Sequence, residues 1–183
     1  MVSNGQINNL DIEVIHSREL SPDLRREIIS LCNRAYEEDI EFIFNTFVGA
    51  THIIGYYNDI FVSHALWITR YLQMGTGPYM RTAYVELVAS ESNYRRRGFA
   101  SSIMKYLIGE IQDYELAALS PFSVAYYERL GWERWRGPLF IRTKAGLMPT
   151  PVGEDVMVYR LPRTPVLDLT ASLSAEWREG ELW

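Results

Sequence analysis

A formal net charge of -5 over 183 residues argues against nucleic acid as the main partner, because nucleic-acid binding normally requires a basic face. A composition of 48% hydrophobic and 22% charged residues predicts one globular domain with a substantial core. The single cysteine, Cys32, excludes an internal disulfide, and neither the polar start Met1–Asn9 nor any apolar run predicts a signal peptide or a membrane span. We therefore expect a cytoplasmic protein with no membrane partner.

The first part of the chain predicts one strand and one helix. Residues 1–9 are expected to be a frayed start, and the alternating Leu10–Ile15 predicts a strand. Ser21 is typical of a helix N-cap and Pro22 of the first helical position, so a helix is predicted from there to Tyr36. Cys32 falls in an apolar run of this helix and is expected to be buried.

Four acids in five residues follow, as Glu37-Glu38-Asp39-Ile40-Glu41. This run has two interpretations: an exposed acidic helix start, or the wall of a pocket for a polycation. Further along, Thr51–Tyr57 and Ile60–Tyr71 flank the turn residues Asn58-Asp59, which predicts a hairpin. A second turn then leads into a central strand at Thr82–Ala89.

This strand runs into a basic, glycine-containing loop and then into a helix. The loop is Arg95-Arg96-Arg97-Gly98, and the helix shows an apolar stripe at Phe99, Ile103, Leu107 and Ile111. The first turn of a helix has unpaired N–H groups and the positive end of the helix dipole. The small residues Ala100 and Ser101 allow a ligand to approach that backbone, so this arrangement predicts a pyrophosphate site.

The remaining pattern predicts a mixed α/β sheet with helices on both faces. The further elements expected are a strand, a helix, two last strands joined by a loop, and a tail with a helical segment: Glu115–Leu119, the helix from Ser120-Pro121 to its C-cap Gly131, Trp132–Arg136, Asp155–Leu161, and Ala171–Trp177 within the tail Thr164–Trp183.

The loop Arg95–Ala100 resembles the acyl-CoA signature Arg/Gln-x-x-Gly-x-Gly/Ala of the GCN5-related N-acetyltransferases (GNAT). The resemblance implies the GNAT acyl-CoA N-acyltransferase fold, with a central mixed, mostly antiparallel sheet flanked by helices on both faces, and acetyl-CoA as the cofactor. The residues it implies for cofactor binding are Leu87, Val88, Ala89, Arg95, Arg96, Arg97, Gly98, Phe99, Ala100 and Ser101.

Glu86 is the candidate base for acetyl transfer. A carboxylate in so apolar a strand is costly unless it faces a wet groove, the alternative being a glutamate that points outward into solvent. Backbone N–H groups around Leu87 and Val88 would then stabilise the oxyanion of the tetrahedral intermediate. In the resembling family, this strand carries those roles, and a glutamate here acts as a base through water.

Tyr127 is the candidate acid, since the departing thiolate benefits from protonation. The segment Tyr127-x-x-x-Gly131-Trp132 resembles a family segment whose tyrosine hydroxyl reaches the coenzyme sulfur. Tyr126 could take that place, or both tyrosines could simply pack. No residue pattern indicates a covalent nucleophile, which favours direct transfer within a ternary complex.

The three histidines, His16, His52 and His64, have no metal-like spacing. We therefore expect each of them to be structural, with no metal bound.

The tail Glu176-Trp177-Arg178-Glu179-Gly180-Glu181-Leu182-Trp183 resembles the end of the aminoglycoside 2'-N-acetyltransferases. The resemblance implies one GNAT domain over residues 1–183, with 164–183 as an arm folding back towards the acceptor site, and a homodimer. It also implies acetylation of the 2'-amino group of a polycationic aminoglycoside, hence antibiotic resistance, with the terminal carboxylate of Trp183 sharing in proton handling beside Glu86 and Tyr127. The candidate substrate-binding residues are Asp39, Glu86, Glu154, Asp155, Glu181 and Trp183.

The sequence departs from that pattern at two places. Phe42–Asn45 stands where the family has a second aspartate, and Glu181 replaces an aspartate before the final tryptophan. These departures leave open a GNAT enzyme that acetylates another small amine or a peptide amine. A non-catalytic acyl-CoA sensor is a further alternative, against which the intact Glu86 and Tyr127 count.

Overall fold

The structure is a computed structural model that describes residues 3–7, 9–180 and 182–183. The strands of this part of the chain are β1 Ser3–Ile7, β2 Leu10–His16, β3 Thr51–Tyr57, β4 Ile60–Met74, β5 Tyr79–Ser90, β6 Leu116–Leu119, β7 Glu133–Arg134, β8 Leu139–Thr143, β9 Gly146–Pro149, β10 Met157–Tyr159 and β11 Leu173–Glu176. The α-helices are α1 Pro22–Tyr36, α2 Glu41–Thr46, α3 Phe99–Glu110 and α4 Val124–Glu128. No helix among these is both long enough and apolar enough to cross a membrane.

The chain divides into two compact units. Unit 1 consists of Met1–Ile68 and Val85–Glu110, and unit 2 consists of Thr69–Tyr84 and Ile111–Trp183. The residues of β4 and β5 are therefore shared out between the two units. Each unit is described by itself below.

Unit 1 is an antiparallel set of strands with α3 packed against it. β2 pairs antiparallel with both β1 and β3, and β3 pairs antiparallel with β4. α3 contacts β2 and β3, and it can do so closely because Gly55 has no side chain. A Cβ on Gly55 would lie 2.8 Å from Leu10 Cδ2 and 3.1 Å from Ile103 Cδ1.

The helix cap and the hairpin turn predicted for unit 1 are both present. Ser21 Oγ accepts a 3.1 Å hydrogen bond from the N–H of Leu24 and caps α1. Asn58 and Asp59 both have positive φ, at 50° and 62°, which is the requirement for the tight turn of a two-residue hairpin. The predicted frayed start is wrong, because Ser3–Ile7 pairs along its length with β2. Backbone pairing to a neighbouring strand does not need apolar side chains.

Unit 2 contains both parallel and antiparallel strand pairs. Thr82–Tyr84 of β5 runs parallel to β6, and β10 pairs antiparallel with both β6 and β7. β11 lies antiparallel to the end of β4 and parallel to β8, and β8 forms an antiparallel hairpin with β9. The predicted class, mixed α/β with mostly antiparallel strand pairs, is confirmed.

Three sequence predictions fail in unit 2. The stretch predicted as the loop between the last two strands contains the β8–β9 hairpin, and β11 follows β10. The segment Ala171–Trp177, predicted to be helical, forms β11, because neighbours on both sides satisfy its backbone groups. The helix predicted from Ser120-Pro121 begins only at Val124, since Ser123 is still extended, with φ -153° and ψ 107°.

The end of that helix agrees with the prediction for Gly131. The N–H of Gly131 bonds to the carbonyl of Glu128 at 3.0 Å, and the N–H of Trp132 bonds to the carbonyl of Tyr127 at 3.1 Å. This pair of bonds, with Gly131 at φ 89°, is a Schellman motif. It supplies a physical reason for the spacing Tyr127-x-x-x-Gly131-Trp132.

Candidate active site

The backbone of β5 is irregular at the point where the sequence predicts the thioester site. Leu87 has φ 49°, a left-handed conformation that costs a residue with a side chain about 1–2 kcal/mol. The three carbonyls from this residue onward each accept a hydrogen bond from a side chain: Leu87 from His64 Nδ1 at 3.0 Å, Val88 from the Tyr36 hydroxyl at 3.1 Å, and Ala89 from Ser63 Oγ at 3.0 Å.

These bonds set the direction of the neighbouring amides. In a planar trans peptide the C=O and the following N–H point in opposite directions. The N–H of Val88 therefore points away from His64, and the N–H of Ala89 points away from the Tyr36 hydroxyl. Such amides are the donors that an acyl oxygen or an extended ligand arm requires.

Glu86 precedes the left-handed residue and is half-buried. Its neighbours Val85 and Leu87 are buried, at 2% and 9% exposure. A half-buried carboxylate is reached by water while its surroundings shield it from bulk solvent. Glu86 is therefore neither a fully solvated surface residue nor a core residue.

The basic loop lies exposed before α3. Arg95, Arg96, Arg97 and Gly98 are all exposed. Positive φ values of 65° at Arg96 and 82° at Gly98 turn the chain into the helix.

The first residue of α3 anchors this loop to unit 1. Phe99 is 4% exposed and packs 5.2 Å from the Tyr57 ring, measured between centroids. The guanidinium of Arg97 lies 5.5 Å above the Tyr57 ring and 5.2 Å above the Tyr94 ring, which restrains an otherwise mobile side chain.

The start of α3 suits an anionic ligand. No acidic side chain lies in its first turn, and a Cβ placed on Gly98 would meet no atom within 4 Å. Ala100 and Ser101 are partly exposed and small. The residues present thus fit a pyrophosphate, with the N–H groups of a helix start, arginine side chains beside them and room for close approach.

A buried pair of histidines in unit 1 was not anticipated from the sequence, which assigned His52 and His64 no role beyond structure. His52 Nδ1 lies 3.0 Å from His64 Nε2, and the two residues are 1% and 0% exposed. Burial lowers the pKa of His52 to about 4, with a smaller contribution from His16. Burial, and then His52, lower the pKa of His64 well below its usual value, although its bond to the Leu87 carbonyl acts in the opposite direction.

Cys32 lies on the same buried side, with its Sγ 3.9 Å from His64 Nδ1. The residue is fully buried, as predicted, and burial raises the pKa of its thiol to about 12. It therefore stays protonated and unreactive.

Asp39 belongs to unit 1 and takes part in starting α2. Its side chain is exposed, and Oδ1 accepts a 3.0 Å hydrogen bond from the N–H of Glu41. Arg25 donates to Glu41 at 3.2 Å and to Asn45 at 2.7 Å. Among the two interpretations of the acidic run, these contacts favour the exposed helix start.

Tyr127 of unit 2 is 2% exposed, whereas Tyr126 is half-buried. The ring of Tyr127 packs edge-to-face against Trp132 at 6.1 Å and against Tyr126 at 4.9 Å. Its carbonyl accepts the Trp132 amide of the Schellman motif. The aromatic contacts and the motif fix the ring's place in unit 2.

The last residues of the chain are anchored within unit 2. The Trp183 side chain is 3% exposed, and its indole N–H donates a 2.7 Å hydrogen bond to the Thr150 hydroxyl. Arg70, 1% exposed, donates to the carbonyls of Leu182 at 2.9 Å and Glu176 at 2.8 Å. A buried guanidinium that binds two carbonyls of the same segment fixes the path of the tail.

Two of the predicted acceptor carboxylates, Glu154 and Asp155, line one cavity of about 360 Å³ in unit 2 together with Thr150, the partner of Trp183. Glu154 is exposed. Asp155 Oδ1 accepts hydrogen bonds of 2.9 and 2.6 Å from Arg134. The remaining candidate, Glu181, lies outside the described residues.

Residues 16–135 match the family model of the acetyltransferase (GNAT) domain, which covers well over half of the chain. The chain belongs to the GNAT acetyltransferase family. It is 28% identical over 177 residues to an aminoglycoside 2'-N-acetyltransferase of Mycolicibacterium fortuitum, an alignment that covers 93% of this chain and 90% of that protein.

Solved structures share the GNAT fold. A GNAT family N-acetyltransferase from Escherichia coli, solved in complex with CoA, matches with a TM-score of 0.60 at 15% identity, over 88% of this chain and 87% of that one. A probable N-acyltransferase from Enterococcus faecalis matches with a TM-score of 0.58 at 20% identity over 69% of this chain. This GNAT chain aligns with only 33% of the length of that second protein.

Proposed function

We propose that this GNAT protein uses acetyl-CoA to acetylate the 2'-amino group of aminoglycosides, by direct transfer in a ternary complex, and thereby confers antibiotic resistance. The observation that carries the proposal is the similarity to a 2'-N-acetyltransferase over nearly the full length of both chains. The exposed basic loop before α3 supports the cofactor. The Escherichia coli relative of the same fold was solved with CoA.

The chain's own residues supply distinct parts of the reaction. Acetyl-CoA supplies the acetyl group as a thioester. The start of α3 and its arginines would hold the diphosphate, and the Val88 N–H would bind the acyl oxygen as it gains negative charge. Glu86 would accept, through water, the proton that the amine loses as its nitrogen bonds to the acyl carbon. Tyr127 would protonate the sulfur as the C–S bond breaks.

An aminoglycoside carries several ammonium groups, so carboxylates should surround the acceptor. Glu154 and Asp155, which line the cavity beside Thr150, support this proposal, with Glu181 and the terminal carboxylate of Trp183 as further candidates by resemblance. The anchored tail carries the most specific part of the resemblance to the 2'-N-acetyltransferases.

A second candidate is acetylation of another small amine or a peptide amine. Two of the predicted acceptor carboxylates already have protein partners, Asp39 at the start of α2 and Asp155 with Arg134. The charge of Asp155 is then partly offset by Arg134 before a substrate binds. A less acidic acceptor site would suit an amine with fewer charges.

The test is a thiol-release assay with two aminoglycosides that differ only in bearing an amine or a hydroxyl at the 2' position. The proposal expects release with the amine compound alone, and the product should carry one acetyl group at that nitrogen. Release with neither compound, but with simpler amines, would support the second candidate. Release with no amine, despite measurable acetyl-CoA binding, would indicate an acyl-CoA sensor.

The single domain over residues 1–183, the arm formed by 164–183, the homodimer and the cytoplasmic location remain predictions within this proposal. Sedimentation of the purified protein would test the dimer.

A further inference from the structure

A chain of buried hydrogen bonds in unit 1 ends on the strained peptide of β5. It runs from the Leu87 carbonyl to His64 Nδ1 at 3.0 Å, from His64 Nε2 to His52 Nδ1 at 3.0 Å, and from His52 Nε2 to Ser17 Oγ at 3.0 Å. The proposed reaction assigns no proton transfer to these groups. Their arrangement still calls for a physical reason, since buried polar networks are kept only where every member is satisfied.

The hydrogen-bond chemistry gives this chain one direction. A carbonyl oxygen only accepts, so the proton of neutral His64 must be on Nδ1, which leaves Nε2 as an acceptor. His52 must then donate from Nδ1, and its bare Nε2 must accept from the Ser17 hydroxyl. The Ser17 hydroxyl also lies within hydrogen-bond distance of the Ala50 carbonyl, at 2.9 Å, but its single proton cannot serve both acceptors. If that proton goes to His52, the Ala50 carbonyl still accepts from the backbone N–H of Ser17 at 2.9 Å.

Both imidazoles are held neutral by their burial, so this pattern of donors persists at neutral pH. Each ring is fixed at both nitrogens. Leu87 therefore has its carbonyl bound by a side chain whose orientation two further groups determine, His52 and Ser17. Left-handed residues with side chains persist where the surroundings over-determine them.

We propose that His64 is a positioning residue that fixes the Leu87–Val88 peptide and so directs the Val88 N–H at the acyl oxygen of the bound thioester. The inference rests on the proposed acetyl transfer and adds to it a residue that contacts no substrate. The donor at the Nδ1 position holds the carbonyl in place. Without it, Leu87 relaxes towards extended geometry and the Val88 N–H turns away from the acyl oxygen.

The position of the donor atom can be tested with two amide variants. In His64→Asn the side-chain nitrogen is as many bonds from the backbone as Nδ1, so it can still donate to the Leu87 carbonyl. In His64→Gln the amide group is one bond further out, at the Nε2 position, where its oxygen can accept from His52 Nδ1 while no donor remains at the Nδ1 position. The two variants have the same chemistry and differ in which of the two bonds they preserve.

We expect kcat to fall by about 10- to 100-fold in His64→Gln, in keeping with the loss of an aligned oxyanion donor. The KM for acetyl-CoA should change by less than about twofold, since one misdirected amide affects the transition state more than the ground state. His64→Asn should retain kcat within about threefold. Cys32→Ala, which opens a small space beside the same imidazole, should retain kcat and serves as the control for packing.

A conformational readout separates this inference from the proposed function. The three-bond coupling between the amide and Hα protons of Leu87 reports its φ, and the Val88 amide shift reports the environment of the donor. The Leu87 coupling and the Val88 amide shift should both differ from the wild-type values in His64→Gln and match them in His64→Asn. If they move but the wild type acetylates no amine, the proposed function fails while the positioning of the peptide stands.

A folded His64→Gln variant that keeps the wild-type coupling, amide shift and kcat would overturn the inference. Should that variant fail to fold, Ser17→Ala provides the second test, since it leaves both histidines in place but removes the hydroxyl that holds His52 at Nε2. There the same readouts should move in the same direction, with kcat reduced by about two- to fivefold. Unchanged values in Ser17→Ala would then reject the inference.

Discussion

His52 Nδ1 donates to His64 Nε2 across 3.0 Å in the interior of unit 1, and the burial of the two rings makes the stability of the protein depend on pH. The pKa of His52 is lowered to about 4 in the folded state and returns to about 6.5 when the chain unfolds. Between these values the unfolded state binds more protons. Stability is therefore fully present above pH 6.5 and decreases as the pH falls towards 4.

For His52 alone, the linkage predicts a loss of about 2 kcal/mol in the free energy of unfolding between pH 7.5 and pH 5. His64 adds to this loss, because its pKa is shifted in the same direction. Urea denaturation of the wild type and of His52→Asn over this pH range measures the effect. The variant should show a shallower decrease, and identical slopes would contradict the assignment.

Replacing Glu86 by Gln should remove the proposed proton acceptor while leaving the basic loop before α3 intact. We expect kcat to fall by about 100-fold or more, the usual contribution of a general base. Acetyl-CoA affinity, measured by calorimetry, should remain within about twofold. Glu110→Gln, an equal change of charge at the exposed end of α3, is the control. Equal losses of turnover and of cofactor affinity would rule out the role of base.

Arg97 is held above Tyr57 and Tyr94 and is therefore oriented before a ligand arrives. Arg97→Ala should raise the KM for acetyl-CoA by about tenfold, the value of a charge-assisted hydrogen bond to phosphate, with kcat at saturation preserved. Raising the salt concentration should reduce the difference in acetyl-CoA KM between the wild type and Arg97→Ala, because salt screens the charge of the arginine. Lys105→Ala removes the same charge from an exposed site further along α3 and should have little effect; matching losses would refute the loop assignment.

Trp183 and Thr150 share a 2.7 Å hydrogen bond, which Trp183→Phe removes while keeping an aromatic ring and the chain terminus. We expect the KM for the aminoglycoside to rise by about fivefold, as for the loss of one hydrogen bond. The KM for acetyl-CoA should be unaffected. Trp177→Phe, in the same tail but 58% exposed, is the matched control. Unchanged acceptor KM in Trp183→Phe would make this bond purely structural.

Deletion of Leu182-Trp183 is a harsher version of the same test. It also removes the Leu182 carbonyl that buried Arg70 binds, so a loss of stability is expected with it. Weaker aminoglycoside binding with intact acetyl-CoA binding remains the expected pattern. For that reason the point variant is the more informative experiment.

Gly137 allows the tail to pass closely over unit 2. A Cβ on this residue would lie 1.8 Å from the Ala171 carbonyl oxygen, which belongs to the backbone and cannot turn aside. Gly137→Ala should lower the free energy of unfolding by about 3 kcal/mol or more. Gly109→Ala, where a Cβ would meet no atom within 4 Å, should raise it by about 0.5–1 kcal/mol because alanine favours a helix. Equal effects in urea denaturation would contradict the steric account.

Structural features that depend on interactions between nearby residues could be predicted from the sequence. The cap at Ser21, the Asn58-Asp59 turn and the loop leading into Phe99 depend on neighbours within a few residues, and all three are found. The family also follows from such local patterns. Whether Glu86, Tyr127 and Trp183 perform the roles that the family resemblance implies stays a prediction.

Where local sequence patterns failed to predict a strand, pairing with strands distant in sequence determined the structure. β11 is a strand rather than a helix because β4 and β8 occupy both of its edges, and local propensity carries no information about them. The same holds for the start of the chain, which pairs with β2.

The histidine pair shows how local signals and tertiary packing contribute differently to one site. The turn at Asn58-Asp59 would place His52 and His64 on opposite faces of the hairpin if the pairing of Tyr56 with Phe61 continued without interruption. The register shifts by one residue between Gly55 and Tyr56, and a shift of one residue exchanges the faces. The sequence by itself determined the turn, the helix caps and the basic loop before α3. Only tertiary packing determined the shift that brings the two imidazoles together against Leu87, because its stability depends on contacts that no local pattern contains.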